Sequence, residues 1–222
     1  MNRSVGRRSF LGIATFGALG LIAACGEERA LVVGHDWGAA VAWALAMLHP
    51  ERVERLAILN VPHPRRMLQG LRTARQLRKS WYMFWFQIPW LPEAAERASG
   101  QQFAKRAFAM ARRPGAFTEE DIERYLAAMR IPGALTGMVA WYRAALRRTP
   151  KASLRLMRRI EAPTLVIWGV RDAALGEELA EPEPDWVPNA RVVRLPEASH
   201  WVQHDEPERV NELLIEFLRG AL

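Results

Sequence analysis

The stretch Ala30-Leu-Val-Val-Gly34-His35-Asp36-Trp37-Gly38 decides the fold. A short apolar run ends in glycine, a carboxylate follows two residues later, and a second glycine stands two residues beyond that. From Gly38 to His49 the chain is apolar on almost every side, and Pro50 stops it. This order predicts a buried strand, a tight turn and a buried helix. Glycines on both sides let the strand and helix backbones approach around a strained turn, so the middle side chain stands out at the helix N-terminus. A carboxylate there is favoured by the helix dipole, which keeps Asp36 ionised and nucleophilic. The plainer alternative is that Asp36 caps the helix and does nothing else.

Working outward, Arg55-Leu-Ala-Ile-Leu-Asn60, Thr164-Leu-Val-Ile-Trp168 and Arg191-Val-Val-Arg-Leu195 are further strand candidates. They are continuous apolar runs rather than alternating ones, as in a parallel sheet covered on both faces. Pro207 to Leu218 carries Val210, Leu213, Leu214, Phe217 and Leu218 on one stripe and predicts a closing amphipathic helix. Strands separated by helices indicate an α/β fold. Residues 64–159 show helical spacing and no good strand, and they are too long for a loop. They predict a helical lid inserted into a core made of residues 26–63 and 160–222. The aromatic run Trp81-Tyr82-Met83-Phe84-Trp85-Phe86 is either the core of that lid or a face closing over a pocket.

At 222 residues the chain is expected to form one domain with an insertion. Its single cysteine, Cys25, excludes a disulfide framework and every zinc site that needs two thiolates. The net charge is +7, and the excess sits between residues 65 and 159, with twenty basic and six acidic side chains. A polyanion partner would use such a segment. The charges, however, alternate with apolar residues at helical spacing, as in Arg72-Thr-Ala-Arg75-Gln-Leu-Arg78-Lys79, which reads as solvated helix faces and no nucleic-acid site.

The first 25 residues differ in kind. Arg3, Arg7 and Arg8 come without any acid, and the sixteen residues from Phe10 to Cys25 carry no charge. That is the layout of a signal segment and is short for a bilayer span. Arg7-Arg8-Ser9-Phe10-Leu11 resembles a twin-arginine export motif, and Leu21-Ile22-Ala23-Ala24-Cys25 resembles a lipobox with Cys25 as the lipidated residue. The expectation is therefore an exported chain anchored at a membrane through Cys25. If the signal does not function, residues 8–24 are an ordinary buried helix before the Ala30 strand and the chain stays in the cytoplasm.

Gly34-His-Asp-Trp-Gly38, Ser80-Trp-Tyr-Met-Phe-Trp-Phe-Gln87, Val139-Ala-Trp-Tyr-Arg143, Trp168-Gly-Val-Arg-Asp172 and Ala198-Ser-His-Trp201 together resemble the epoxide hydrolases of the α/β-hydrolase fold, with haloalkane dehalogenases as cousins. The resemblance runs from Gly26 to Leu222. It implies that Asp36 is the nucleophile, Asp172 the acid, His200 the base, and Tyr82 and Tyr142 the lid hydroxyls that polarise an epoxide oxygen. The backbone N–H of Trp37 is implied as an oxyanion donor. The implied substrate is a small apolar epoxide, with no metal or organic cofactor.

The residue order supports this independently, since Asp36, Asp172 and His200 each follow a strand, and the carboxyl ends of parallel strands form the ligand crevice. His204 is a nearby competitor for His200, and Asp172 could cap a helix starting at Ala173. The family carries a His-Gly-x-Pro loop upstream of the elbow, and none of the five histidines here is followed by glycine. The expectation is thus an α/β-hydrolase fold lacking its first strands. The competing functions are a haloalkane dehalogenase and a non-catalytic envelope lipoprotein built on a hydrolase remnant.

Overall fold

A computed structural model describes residues 10–147 and 154–220. Arg7 and Arg8 of the expected export motif lie outside the described residues. The central sheet is parallel throughout, with strands β1 (Ala30–His35), β2 (Val53–Leu59), β3 (Thr164–Gly169) and β4 (Ala190–Leu195) in sequential order. The four runs named from sequence are these four strands, to within two residues at each end.

Both faces of the two central strands are covered, which is why they carry no alternation of polar and apolar residues. Leu56, Ile58, Val166 and Trp168 face one apolar cluster, whereas Ala57, Leu59, Leu165 and Ile167 face another. Each large side chain among them contributes about 1.5–3 kcal/mol by leaving water. Helix α2 (Trp37–Leu48) covers the first face through Ala39, Trp43 and Ala46. The closing helix, Pro207–Leu218, covers the second through Val210, Leu213 and Phe217. On β1, Leu31 and Val33 are exposed, and β2 is its one strand partner among the described residues.

The apolar segment expected as a signal forms helix α1 (Phe10–Ala24), which lies against α2. Ile22 is buried in the same cluster as Ala39 and Trp43, with Ala18 and Leu19 beside it. The expected boundary after residue 25 therefore does not coincide with a break in the apolar core. No helix among the described residues is long and apolar enough to cross a membrane.

Between β2 and β3 every described element is helical: α3 (Pro64–Gly70), α4 (Ala74–Lys79), α5 (Trp81–Trp85), α6 (Leu91–Ala98), α7 (Gln102–Phe108), α8 (Glu119–Arg130) and α9 (Ala134–Leu146). Thr118 and Asp121 form a reciprocal capping box that starts α8. The lid has a small core of its own around Ala104, Phe108 and Leu126, and Trp201 plugs into it from the sheet side. Arg72, Arg75 and Arg78 are exposed on solvated faces. After β4 come α10 (Val202–Asp205) and α11 (Pro207–Leu218).

Candidate active site

The sheet delivers its chemistry at the carboxyl ends of the strands. Asp36 follows β1 with φ 50° and ψ −128°, a strained conformation for a residue with a side chain. Its side chain makes no capping hydrogen bond to α2, so the capping alternative does not account for it. The two flanking glycines differ in their reasons. A Cβ at Gly34 would sit 2.7 Å from the Cα of Ala39, so close passage of strand and helix requires glycine there. At Gly38 a Cβ would meet open space, and the expectation that both glycines serve close approach holds for Gly34 alone.

Asp172, three residues past β3, and His200, in the loop after β4, meet Asp36. His200 Nδ1 lies 2.8 Å from Asp172 Oδ2, and His200 Nε2 lies 3.7 Å from Asp36 Oδ1. Gly169 makes this possible, because a Cβ at the end of β3 would collide with the carbonyls of Ala198 and Ser199 that lead into His200. Asp172 is fully enclosed. Its Oδ1 accepts from the backbone N–H groups of Ala174 and Leu175 at 2.7 and 2.9 Å, which is a turn rather than a helix cap. His204 instead packs against Phe117, with ring centroids 4.4 Å apart at a tilt of 37°.

Burial opposes the charge on both carboxyls, yet both are held below the usual range. For Asp36 the nearby His200 outweighs desolvation, helped by the Trp37 backbone N–H. For Asp172 the charge of His200 and hydrogen bonds from His200, Asn60 and Leu175 do so. Desolvation pulls His200 down, but the two flanking carboxylates, Asp172 foremost, push it up to about 10. His35 stays neutral, lowered to about 4 by burial and by the neighbouring His200 charge; its Nε2 meets the His200 carbonyl at 2.8 Å.

Tyr82 on α5 and Tyr142 on α9 come together across the site, with ring centroids 5.6 Å apart. Tyr142 also meets the Trp37 ring at 4.9 Å. Burial raises both phenols, as does the charge of Asp36, so both remain proton donors at neutral pH. Both line one cavity with Asp36 and Trp37. The aromatic run divides accordingly: Tyr82 and Met83 face the cavity, whereas Trp81 and Phe84 are exposed. Among the described residues no cluster of three His, Cys, Asp or Glu is arranged for a metal.

Several residues that sequence reasoning missed hold this arrangement. Buried Asn60, at φ 48° after β2, donates from Nδ2 to Asp172 Oδ2 at 2.8 Å and accepts from the Gly169 N–H at 2.7 Å. Its position at a strand end was visible, but its contact, 112 residues away in sequence, was not. Gln76 ties the lid to the acid loop by donating to the Ala174 carbonyl and accepting from the Gly176 N–H. Arg143, next to Tyr142, forks onto Glu93 at 2.6 and 2.9 Å and donates to the Phe86 and Ile88 carbonyls. Asp205 accepts from Ser199 and from the Arg112 and Arg113 backbones, pinning the loop before His200 to the lid.

The arrangement can therefore present an ionised carboxylate, a histidine oriented by a second carboxylate, and two phenol donors around one apolar space. Comparison with known proteins places the chain in a family. Residues 19–207 match the α/β hydrolase fold family. The AB hydrolase superfamily protein YfhM of Bacillus subtilis is 40% identical over 204 residues, covering 91% of this chain and 70% of that protein. Human epoxide hydrolase 4 is 37% identical over 201 residues, and the chain spans 54% of its length. The crystal structure of an epoxide hydrolase mutant from Bacillus megaterium superimposes with a TM-score of 0.81 at 28% identity, over 95% of this chain and 76% of that one.

Proposed function

Since the chain belongs to the α/β hydrolase fold family, we propose that it opens a small epoxide to a vicinal diol through an ester on Asp36. The observation that carries this reading is the placing of Tyr82 and Tyr142 over the same cavity as the Asp36 carboxylate. A carboxylate attacks an epoxide carbon, the ring C–O bond breaks, and the departing oxygen needs hydrogen-bond donors while it takes up a proton. Two phenols supply them: one passes its proton to the departing oxygen and is reprotonated through water as the His200 imidazolium gives up its own. The product of this step is a hydroxyalkyl ester of Asp36.

Hydrolysis then frees the carboxylate. Esterification removes the Asp36 charge beside His200, so the imidazole loses one of the two anions that raise its pKa and becomes a base at the moment one is needed. His200 takes a proton from water, the hydroxide attacks the ester carbonyl, and the Trp37 N–H faces the oxyanion. The acyl C–O bond breaks, His200 returns the proton to the leaving diol oxygen, and Asp36, released as the carboxylic acid, passes its proton to His200, which restores the carboxylate and the imidazolium.

The test is trapping. Asp36→Ala abolishes turnover, whereas His200→Gln stops after alkylation and accumulates an adduct of substrate mass on Asp36. An adduct elsewhere, or none where the parent turns over, refutes the mechanism. Trp37 beside the nucleophile favours a second reading, dehalogenation of a haloalkane by the same Asp36 attack. Replacing Tyr82 and Tyr142 together by Phe separates the two, because it removes epoxide opening and spares dehalogenation.

The twin-arginine and lipobox pattern supports a separate proposal, export with lipidation of Cys25, which is exposed just past the end of α1.

A further inference from the structure

The cavity at Asp36 is directional. Its lining residues on α2 are Trp37, Ala40, Ala44, Met47 and Leu48, together with Trp43. These recur every three to four residues, so they form one face of the helix from its first residue to its last. The nucleophile stands at one end of that face. Eleven residue steps correspond to about 16 Å.

The opposite wall comes from Met67, Leu68 and Leu71 after β2 and from Leu146, Leu156 and Met157 at the end of the lid. Among the described residues Asp36 is the one charged residue in the lining, and beyond it and the two tyrosines their side chains are apolar. A polar group carried far from the epoxide would lose its water there without gaining a partner. On the other side of Asp36 the space is filled by His35, His200 and Trp201, with ring centroids 4.8 to 5.8 Å apart.

Resting on the epoxide reading, we infer that the substrate is a terminal epoxide on an unbranched alkyl tail, and that the α2 face measures the length of that tail. The cavity of about 260 Å³ sets the capacity. At roughly 30 Å³ for a water-sized group, it holds about eight or nine such groups. The two carbons and one oxygen of the epoxide take three of these, so a tail of about six carbons beyond the epoxide fills the cavity. Each methylene buried within that limit raises affinity roughly fourfold, and methylenes past it add little. Ala40 and Ala44 are the specificity-determining positions, because their small side chains leave the middle of the groove open.

The experiment measures two series on the full chain: kcat/KM for 1,2-epoxyalkanes of increasing length, and calorimetric affinity for the corresponding 1,2-diols, which need no turnover. Between the four-carbon and eight-carbon diols the affinity is expected to rise on the order of a hundredfold and then to level off. Ala44→Leu adds a side chain in mid-groove, so the plateau comes about three methylenes earlier and the eight- to four-carbon ratio collapses. Should Ala44→Leu not fold, Ala40→Leu, at a half-buried position, carries the same readout. Affinity independent of chain length, or equal losses for short and long diols in a folded variant, overturns the inference. Length-dependent diol binding without any epoxide opening leaves the groove standing and removes the reaction. Epoxide opening indifferent to chain length and to which carbons bear the epoxide removes the groove and leaves the reaction.

Discussion

Asn60 Nδ2 lies 2.8 Å from Asp172 Oδ2, the same oxygen that receives His200 Nδ1, so one amide at the end of β2 sets the carboxylate that orients the histidine. The amide is itself held, since its Oδ1 accepts from the Gly169 N–H at 2.7 Å. Asn60 reads Asp172 as a carboxylate by donating to it.

Replacing Asn60 by Gly keeps the φ of 48° available and removes the amide. A hydrogen bond to a charged group contributes about 1.5–3 kcal/mol, so kcat is expected to fall roughly tenfold or more, with ester hydrolysis slowed more than alkylation. Asn60→Asp sets two carboxylates on one site and adds an acid limb to the pH–rate profile. Single-turnover kinetics across pH separate these steps. Unchanged profiles in both variants would show that Asp172 is set by its backbone donors alone.

Arg143 and Glu93 form a well-buried ion pair joining two lid helices, with side chains 17% and 5% exposed. Glu93→Ala leaves the guanidinium facing the Phe86 and Ile88 carbonyls without its counter-charge. Breaking such a pair costs about 3 kcal/mol or more, and α9 carries Tyr142 beside it. The expected result is a lower urea midpoint together with weaker epoxide turnover. A stability change without any activity change would confine the pair to holding the lid together.

His63 is buried with neither ring nitrogen hydrogen-bonded, and burial lowers its pKa from 6.5 to about 4. The unfolded chain binds this proton first as the pH falls. Stability from neutral His63 is thus fully present above about pH 6.5 and is lost progressively toward pH 4. His35 acts in the same direction. His63→Leu is expected to flatten the fall of the thermal midpoint between pH 7 and pH 5. An equally steep fall in that variant assigns the acid sensitivity elsewhere.

Cleavage before Cys25 would remove α1, while retention keeps Ile22 in the core. Exported and lipidated, the chain takes up labelled fatty acid, fractionates with membranes, and loses the label in Cys25→Ser. Retained, it has full mass and no label, and Ile22→Asp lowers its thermal midpoint by burying a charge against α2. Label at Cys25 in the membrane fraction is the outcome the export proposal expects, and an unlabelled product of full mass with Ile22 still in the core overturns it.

Much of this molecule is written locally. Continuous apolar runs mark strands buried on both faces, the elbow around Asp36 marks its turn, and helical spacing marks the inserted lid, because each pattern depends on neighbours within a few residues. The residue types at strand ends supported Asp36, Asp172 and His200, whereas Tyr82 and Tyr142 were implied only by the resemblance to epoxide hydrolases. Tertiary structure alone decided that Asn60 meets Asp172, that Arg143 forks onto Glu93, that Asp205 joins the His200 loop to the lid, and that Gly38 faces open space. It also decided that one face of α2 lines a cavity while its neighbours enter the core, a division invisible in a helix that is apolar nearly all round. The physical reason is distance along the chain: periodicity records which side of an element is apolar, whereas a hydrogen bond across 112 residues, or a space left unfilled, exists only once separate elements have docked.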